Sequence, residues 1–209
     1  MESPEHLVTM RHPYWMAETE LTNRQFERFD PHHERTPEST RDLGPVTNVS
    51  WEEARRYCAW LSARAGRPAR LPSESEWENA CRAGSTGQFC FDDEDGALSD
   101  YAWFDWISDG RCHFVRSKRP NAWGFFDMHG NAWEFCEDTA HRSYDGSPDD
   151  GSAWIEGGGA CEPGPVGRMV RGGSSTNGYA KCRSAYRSDT PPDRRSTFTG
   201  FRPVLSSTR

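Results

Sequence analysis

The stretch Asn121-Ala-Trp-Gly-Phe-Phe-Asp-Met-His-Gly-Asn-Ala-Trp-Glu-Phe135 sets two carboxylates, Asp127 and Glu134, on either side of a glycine turn. Hard cations such as calcium take six or more oxygens, and a turn supplies them by combining carboxylates with inward-pointing backbone carbonyls. Asp127 and Glu134 are therefore candidate cation ligands. The same spacing also suits an N-cap or a solvated loop residue, so spacing alone leaves both readings open.

A second group of chemically capable residues lies downstream. Arg168-Met-Val-Arg-Gly-Gly-Ser174 is followed by Cys182-Arg-Ser-Ala-Tyr-Arg187 and Gly200-Phe-Arg-Pro-Val204, so that Arg171, Arg183, Arg187 and Arg202 recur at strand-like positions. Guanidinium groups there can bind anions, or they can tie irregular loops together by donating several bonds to backbone carbonyls. The structural role is the expectation for most of them. The seven cysteines are an odd number with no C-x-x-C pair, which predicts mostly reduced, buried thiols rather than a zinc site or a disulfide framework.

Local signals predict the elements that would carry these residues. Ser50-Trp-Glu-Glu53 and Ser73-Glu-Ser-Glu76 are capping boxes, in which the serine hydroxyl accepts from the third amide and the glutamate reaches back to the cap. They open helices with Trp51, Ala54, Cys58 and Leu61 on one inner face and Trp77, Ala80 and Cys81 on the other. Thr22 caps a shorter helix presenting Phe26 and Phe29. Leu7–Met10 and Tyr14–Met16 are expected as short strands broken by Pro13, and after Asn121 strands are expected at 132–136, 168–171, 182–187 and 200–204. The acidic run Asp92–Gly96 is expected to be a solvated turn, because Phe91 and Leu98 stand where a helix-loop-helix calcium site needs ligands.

Leu, Ile, Val and Phe supply only 27 of 209 residues, but nine Trp and six Tyr bring large apolar surfaces with polar handles. With 19 Gly and 14 Pro, this predicts an aromatic core threaded by irregular backbone. The net charge of −7 argues against nucleic acid or anionic membrane as a partner. No apolar run approaches the ~18 residues of a membrane span, and the first residues do not resemble a signal peptide, so a cytoplasmic protein is expected.

Six ordered segments resemble the formylglycine-generating enzyme, or sulfatase-modifying factor, family: Glu18–Asn23, Pro45–Ala54, Arg70–Glu78, Asp127–Glu134, Arg171–Ser174 and Gly200–Arg202. The resemblance covers nearly the whole chain and implies an α+β, C-type-lectin-like fold over residues 1–209, with short strands, two or three helices and long irregular loops. The family usually has a further strand before Pro4, so a trimmed domain of a longer parent with a fused effector is one expectation.

In calcium-binding members the segment matching 127–134 holds a cation through two side chains and two carbonyls, which implies Asp127, Gly130, Ala132 and Glu134 here. The stretch 101–120 lacks the pattern of a second site, so one structural calcium ion is expected. The enzymes of the family oxidise a substrate cysteine with copper and oxygen, using two cysteines soon after Gly-Gly-Ser, and two thiolates suit Cu(I). Residues 175–181 contain no cysteine, and Cys182 stands as the sole catalytic candidate. Copper is therefore not expected. The seven histidines are dispersed, unlike the iron site of the related sulfoxide synthases.

The segment 171–202 is also similar to the display region of variable proteins of diversity-generating retroelements. That resemblance implies a ligand-binding face made by Ser175, Thr176, Asn177, Tyr179, Lys181, Tyr186, Ser188, Asp189, Ser196, Thr197 and Phe198, with a protein as the expected ligand. Tyr, Ser and Asn suit adaptable recognition. A non-catalytic binding domain is the leading expectation, and a copper-dependent oxidase the alternative.

Overall fold

A computed structural model describes residues 2–91, 98–159 and 166–207. The acidic run at 92–96 and Cys161 lie outside the described residues.

All three capping signals operate. In α1 (Asn23–Phe26), Thr22 accepts from the Gln25 amide while Gln25 reaches back to the Thr22 amide. In α2 (Trp51–Ala65) Ser50 and Glu53 exchange the same pair of bonds, and Gly66 ends the helix in the left-handed conformation. α3 (Glu74–Arg82) repeats the box with Ser73 and Glu76. Each box satisfies amides that a helix start otherwise leaves bare.

The helices abut two small sheets. β1 (Tyr14–Met16) and β2 (Ala69–Arg70) flank β7 (Val204–Ser206), both antiparallel to it. The second sheet has the order β5-β4-β3-β6, built from β3 (Trp133–Thr139), β4 (Arg168–Arg171), β5 (Ser188–Thr190) and β6 (Thr199–Gly200). β3 runs antiparallel to β4 with a register shift between Phe135 and Thr139, and parallel to β6.

Burial follows the aromatic composition. Phe26, Trp51, Tyr57, Leu71, Phe135 and Phe201 share one cluster. Trp77, Cys81, Met128, Cys136 and Met169 form a second, and Phe89, Phe91, Ala102, Phe104 and Cys182 a third. Even the polar handles are used, since Trp51 Nε1 donates to the Cys136 carbonyl at 2.8 Å.

Three expected strands differ. Residues 7–10 form no strand; the Thr9 and Arg11 amides instead donate to the carbonyls of Asp149 and Asp150. The segment 182–187 is not extended either, because the Arg171 guanidinium takes the carbonyls of Ser184, Ala185 and Tyr186 that a ladder would need. Pairing resumes only at Ser188. The strand expected at 200–204 is split, the Phe201 and Pro203 carbonyls accepting from Leu21 and Ala17 between β6 and β7. No helix among the described residues is long and apolar enough to cross a membrane.

Because the Ser50 hydroxyl is buried and engaged by the cap, Ser50→Ala is expected to lower stability by about 1 kcal/mol. Urea denaturation should show a lower midpoint with an unchanged slope.

Candidate functional site

β3 carries Glu134 into the interior, where the chain returning from β6 brings Arg202 to meet it. Arg202 Nε and Nη2 lie 2.6 and 2.7 Å from the two Glu134 oxygens, and both side chains are buried. Trp77 Nε1 donates to the same carboxylate at 2.9 Å. The remaining Arg202 donors reach the Ala17 and Phe126 carbonyls.

Asp127 and Glu20 complete this polar cluster. Asp127 Oδ2 accepts from the Arg116 amide at 2.8 Å, while Oδ1 is buried without a partner. Burial pushes the Asp127 carboxyl up to about 6. Glu20 accepts from the Ala132 amide and from Asn131 Nδ2, and burial beside Asp127 and Glu134 holds it well above the ordinary carboxylate range.

The residues present do not fit the expected calcium set. Both Glu134 oxygens face a guanidinium, which supplies at that carboxylate the positive charge a cation would bring. Among the described residues no group of three or more His, Cys, Asp or Glu is arranged to hold a metal ion. Of the two expected side-chain ligands, Asp127 keeps one oxygen open while Glu134 is engaged through both; Gly130 and Ala132 belong to the expected set through their backbone carbonyls. Gly130 is fixed for another reason: at φ +133° its α-carbon sits so close to the Trp103 carbonyl that a Cβ would fall 2.2 Å from the oxygen.

The Gly-Gly-Ser segment leaves β4 through Gly172 and Gly173, both at positive φ. A short 3-10 turn, Tyr179–Cys182, then points Cys182 inward among Phe89, Phe91 and Phe104. Burial pushes the Cys182 thiol up to about 12, which favours its protonated form in this enclosed position. Cys81 beside it is raised to about 12 by the same cause. His129 lies between these segments, accepting from the Cys90 amide at Nε2 and placing Nδ1 2.8 Å from the Cys182 carbonyl.

The eleven expected display residues differ in exposure and in their neighbours. Thr176, Tyr179 and Lys181 are exposed and Asn177 half-buried, on a rim that Trp106 joins. The Trp106 and Tyr179 rings are 6.4 Å apart and 76% and 53% exposed, with Phe104 packed 6.0 Å behind Trp106. The Asp105 amide donates to the Asn177 carbonyl, locking the two loops together.

Tyr186 belongs to another group, 6.0 Å from Trp133, whose amide donates to the Phe198 carbonyl; Ser196, Thr197 and Phe198 are half-buried there. Ser188 and Asp189 are half-buried in β5. Ser175 is a correction: it is fully buried, its amide donating to Asn131 and its carbonyl accepting from Ser108, so it displays nothing.

The sulfatase-modifying factor enzyme 1-like domain matches residues 1–207. The chain belongs to that family. It is 33% identical over 202 residues to the formylglycine-generating enzyme of Streptomyces coelicolor, covering 81% of this chain but 57% of that protein. It therefore spans little more than half the length of that relative. PvdO from Pseudomonas aeruginosa superimposes with a TM-score of 0.85 at 30% identity, covering 98% of this chain and 85% of that one. Treponema denticola variable protein 1 shares the fold, with a TM-score of 0.74 at 24% identity over 93% of this chain and 84% of that one.

Within the family fold, sequence reasoning missed Trp106 and Glu20. Trp106 lies in an aperiodic aromatic run, Tyr101–Ile107, where no pattern separates a core ring from an exposed one. Glu20 lies inside a matching segment, but its link to Asn131 and Ala132 spans more than a hundred residues.

The cluster around Glu134 yields a two-part expectation. Chelator should leave the melting temperature of metal-stripped and untreated protein equal. Asp127→Asn, which keeps an acceptor for Arg116 and turns an amide toward the neighbouring carboxylates, should stabilise by about 1 kcal/mol at pH 7.5. A chelator-dependent fall in melting temperature, abolished by the same substitution, would instead place a cation there.

Proposed function

We propose that this domain is a non-catalytic binding module whose ligand, a protein, contacts the rim of Thr176, Asn177, Tyr179, Lys181 and Trp106. The observation that supports this most strongly is the contrast within one short segment: Cys182 turns into the core while Tyr179 turns out beside Trp106. Tyr and Trp give large contact area at low conformational cost, and Thr, Asn and Lys supply adaptable polar contacts around them. The roots of the rim are rigid, since Ser174 Oγ bonds Asn177 Oδ1 at 2.8 Å and Ser175 is pinned in the interior.

The fold shared with Treponema denticola variable protein 1 supports reading 176–198 as the display region, with the Tyr186–Phe198 group as a second patch. Free Cys58, Cys81, Cys90, Cys112, Cys136 and Cys182 suit a reducing compartment, which supports a cytoplasmic location for the module.

The alternative, a copper-dependent oxidase acting on a substrate cysteine, draws on the 33% identity to the Streptomyces enzyme. It needs accessible thiolates near Gly-Gly-Ser. Among the described residues Cys182, Cys81 beside it and Cys112 are thiols near that segment, and burial raises the pKa of all three.

Two measurements separate the readings. A cysteine-containing sulfatase-type peptide incubated with copper-loaded protein and oxygen should be recovered unchanged by mass spectrometry, alongside an active control enzyme; conversion to the aldehyde would overturn the binding reading. Protein partners captured by the wild type should be lost from Trp106→Ala/Tyr179→Ala and retained by Trp15→Ala, which removes an equally exposed ring elsewhere. Retention by the double variant would remove the rim from the site.

A further inference from the structure

Residues 2–10 run as an arm along the outside of α3, and a groove of about 800 Å³ lies between this arm and the body. The arm is held at intervals rather than packed down. The Tyr144 amide donates to the Ser3 carbonyl, His6 lies 4.9 Å from the Tyr144 ring and 3.0 Å from Ser147 Oγ, and the Thr9 amide reaches Asp149. Between these ties Leu7 is 86% exposed, so the arm adds little apolar burial.

The strongest contact of the arm is ionic. Glu2 makes two parallel bonds with Arg183, at 2.7 and 2.9 Å, and both side chains are half-buried. The other charges along the body side are matched from within the body. Glu74 pairs with Arg187 and Arg171, and Glu78 pairs with Arg171 and Arg82. Arg183 differs: apart from the Ala180 carbonyl and the Tyr186 ring, its partner is the carboxylate that the arm delivers.

We infer that the groove is a second binding site, for an extended acidic peptide, and that Glu2 holds its place on Arg183. A planar guanidinium on the groove wall selects a carboxylate bidentately. The groove runs along Glu74, Glu78, Asn79 and Arg82 as far as Tyr144 and Ala185; Glu74 and Glu78 are already paired with arginines of the body, and the length suits several residues of peptide better than a lone small acid. The tethered Glu2 competes at a high effective concentration, so the arm acts as a strap that an incoming peptide displaces. This groove adjoins the 179–186 segment, since Arg183 bonds the Ala180 carbonyl and lies over the Tyr186 ring, but it is lined by other residues than Trp106 and Tyr179 and does not depend on the role of that rim.

The test uses the full chain and a fluorescein-labelled, acetylated peptide of the arm's own sequence, Met1–Met10, read by fluorescence anisotropy. Glu2→Gln should bind the probe about tenfold more tightly than the wild type, because the tethered competitor is gone. Glu2→Gln/Arg183→Gln should lose that gain, and Glu2→Gln/Arg183→Lys should keep part of it. A probe with glutamine at both glutamate positions should not bind, and free N-acetylglutamate should compete far less well than the peptide. Equal binding by wild type and Glu2→Gln, or binding indifferent to Arg183, would overturn the site. Equal competition by N-acetylglutamate would overturn the peptide assignment. Trp106→Ala should leave probe binding unchanged, whatever it does to ligands of the rim.

Discussion

The buried pair of Arg202 and Glu134 is the contact on which the rest of the architecture depends. Removing two charges from water costs several kcal/mol each, and mutual attraction compensates only when every remaining donor and acceptor is also met. Here the guanidinium spans both carboxylate oxygens and reaches two backbone carbonyls, and the carboxylate also receives the Trp77 indole. The segments around Ala17, Trp77, Phe126, Glu134 and Arg202 thereby meet at one point. Loss of either charge would strand the other in the interior, at a cost of about 3–5 kcal/mol.

The same device recurs where backbone is irregular. Arg171 joins Glu78 to the carbonyls of Ser184, Ala185 and Tyr186, and Arg187 binds Glu74 through Nε and Nη2. A chain poor in aliphatic residues and with short strands cannot hold long loops by burial alone. Arginine forks give each loop several directed bonds instead. The segment 171–187 is thus anchored at its roots by buried arginines, while Thr176, Tyr179 and Lys181 are exposed. Cys182 is held among the roots, and Tyr179 stands at the surface beside Trp106 of a neighbouring loop.

How legible these features were in the sequence follows from the range of the interactions behind them. The helix starts at Thr22, Ser50 and Ser73 were readable because a capping bond spans three residues. The structural role of most arginines was readable from their chemistry, although their partners were not. Strands at 7–10 and 182–187 were misplaced because their apolar and small residues permit extension, and only distant groups decided otherwise: the 149–150 loop for one, the Arg171 guanidinium for the other. Ser175 and Tyr179, polar-handled residues four apart in one loop, have opposite fates for the same reason.

By itself, then, the sequence determined the helix caps, the inward faces of α2 and α3, the aromatic character of the core and the family of the fold, since each is written in short motifs or in composition. Tertiary structure alone decided that Glu134 would meet Arg202, that Cys182 would be enclosed, that Trp106 would stand beside Tyr179, and that Glu2 would reach Arg183. A local bond is fixed by neighbours along the chain, whereas the partner of a buried charge or an exposed ring is set by whichever distant segment the folded backbone brings within about 3 Å of it.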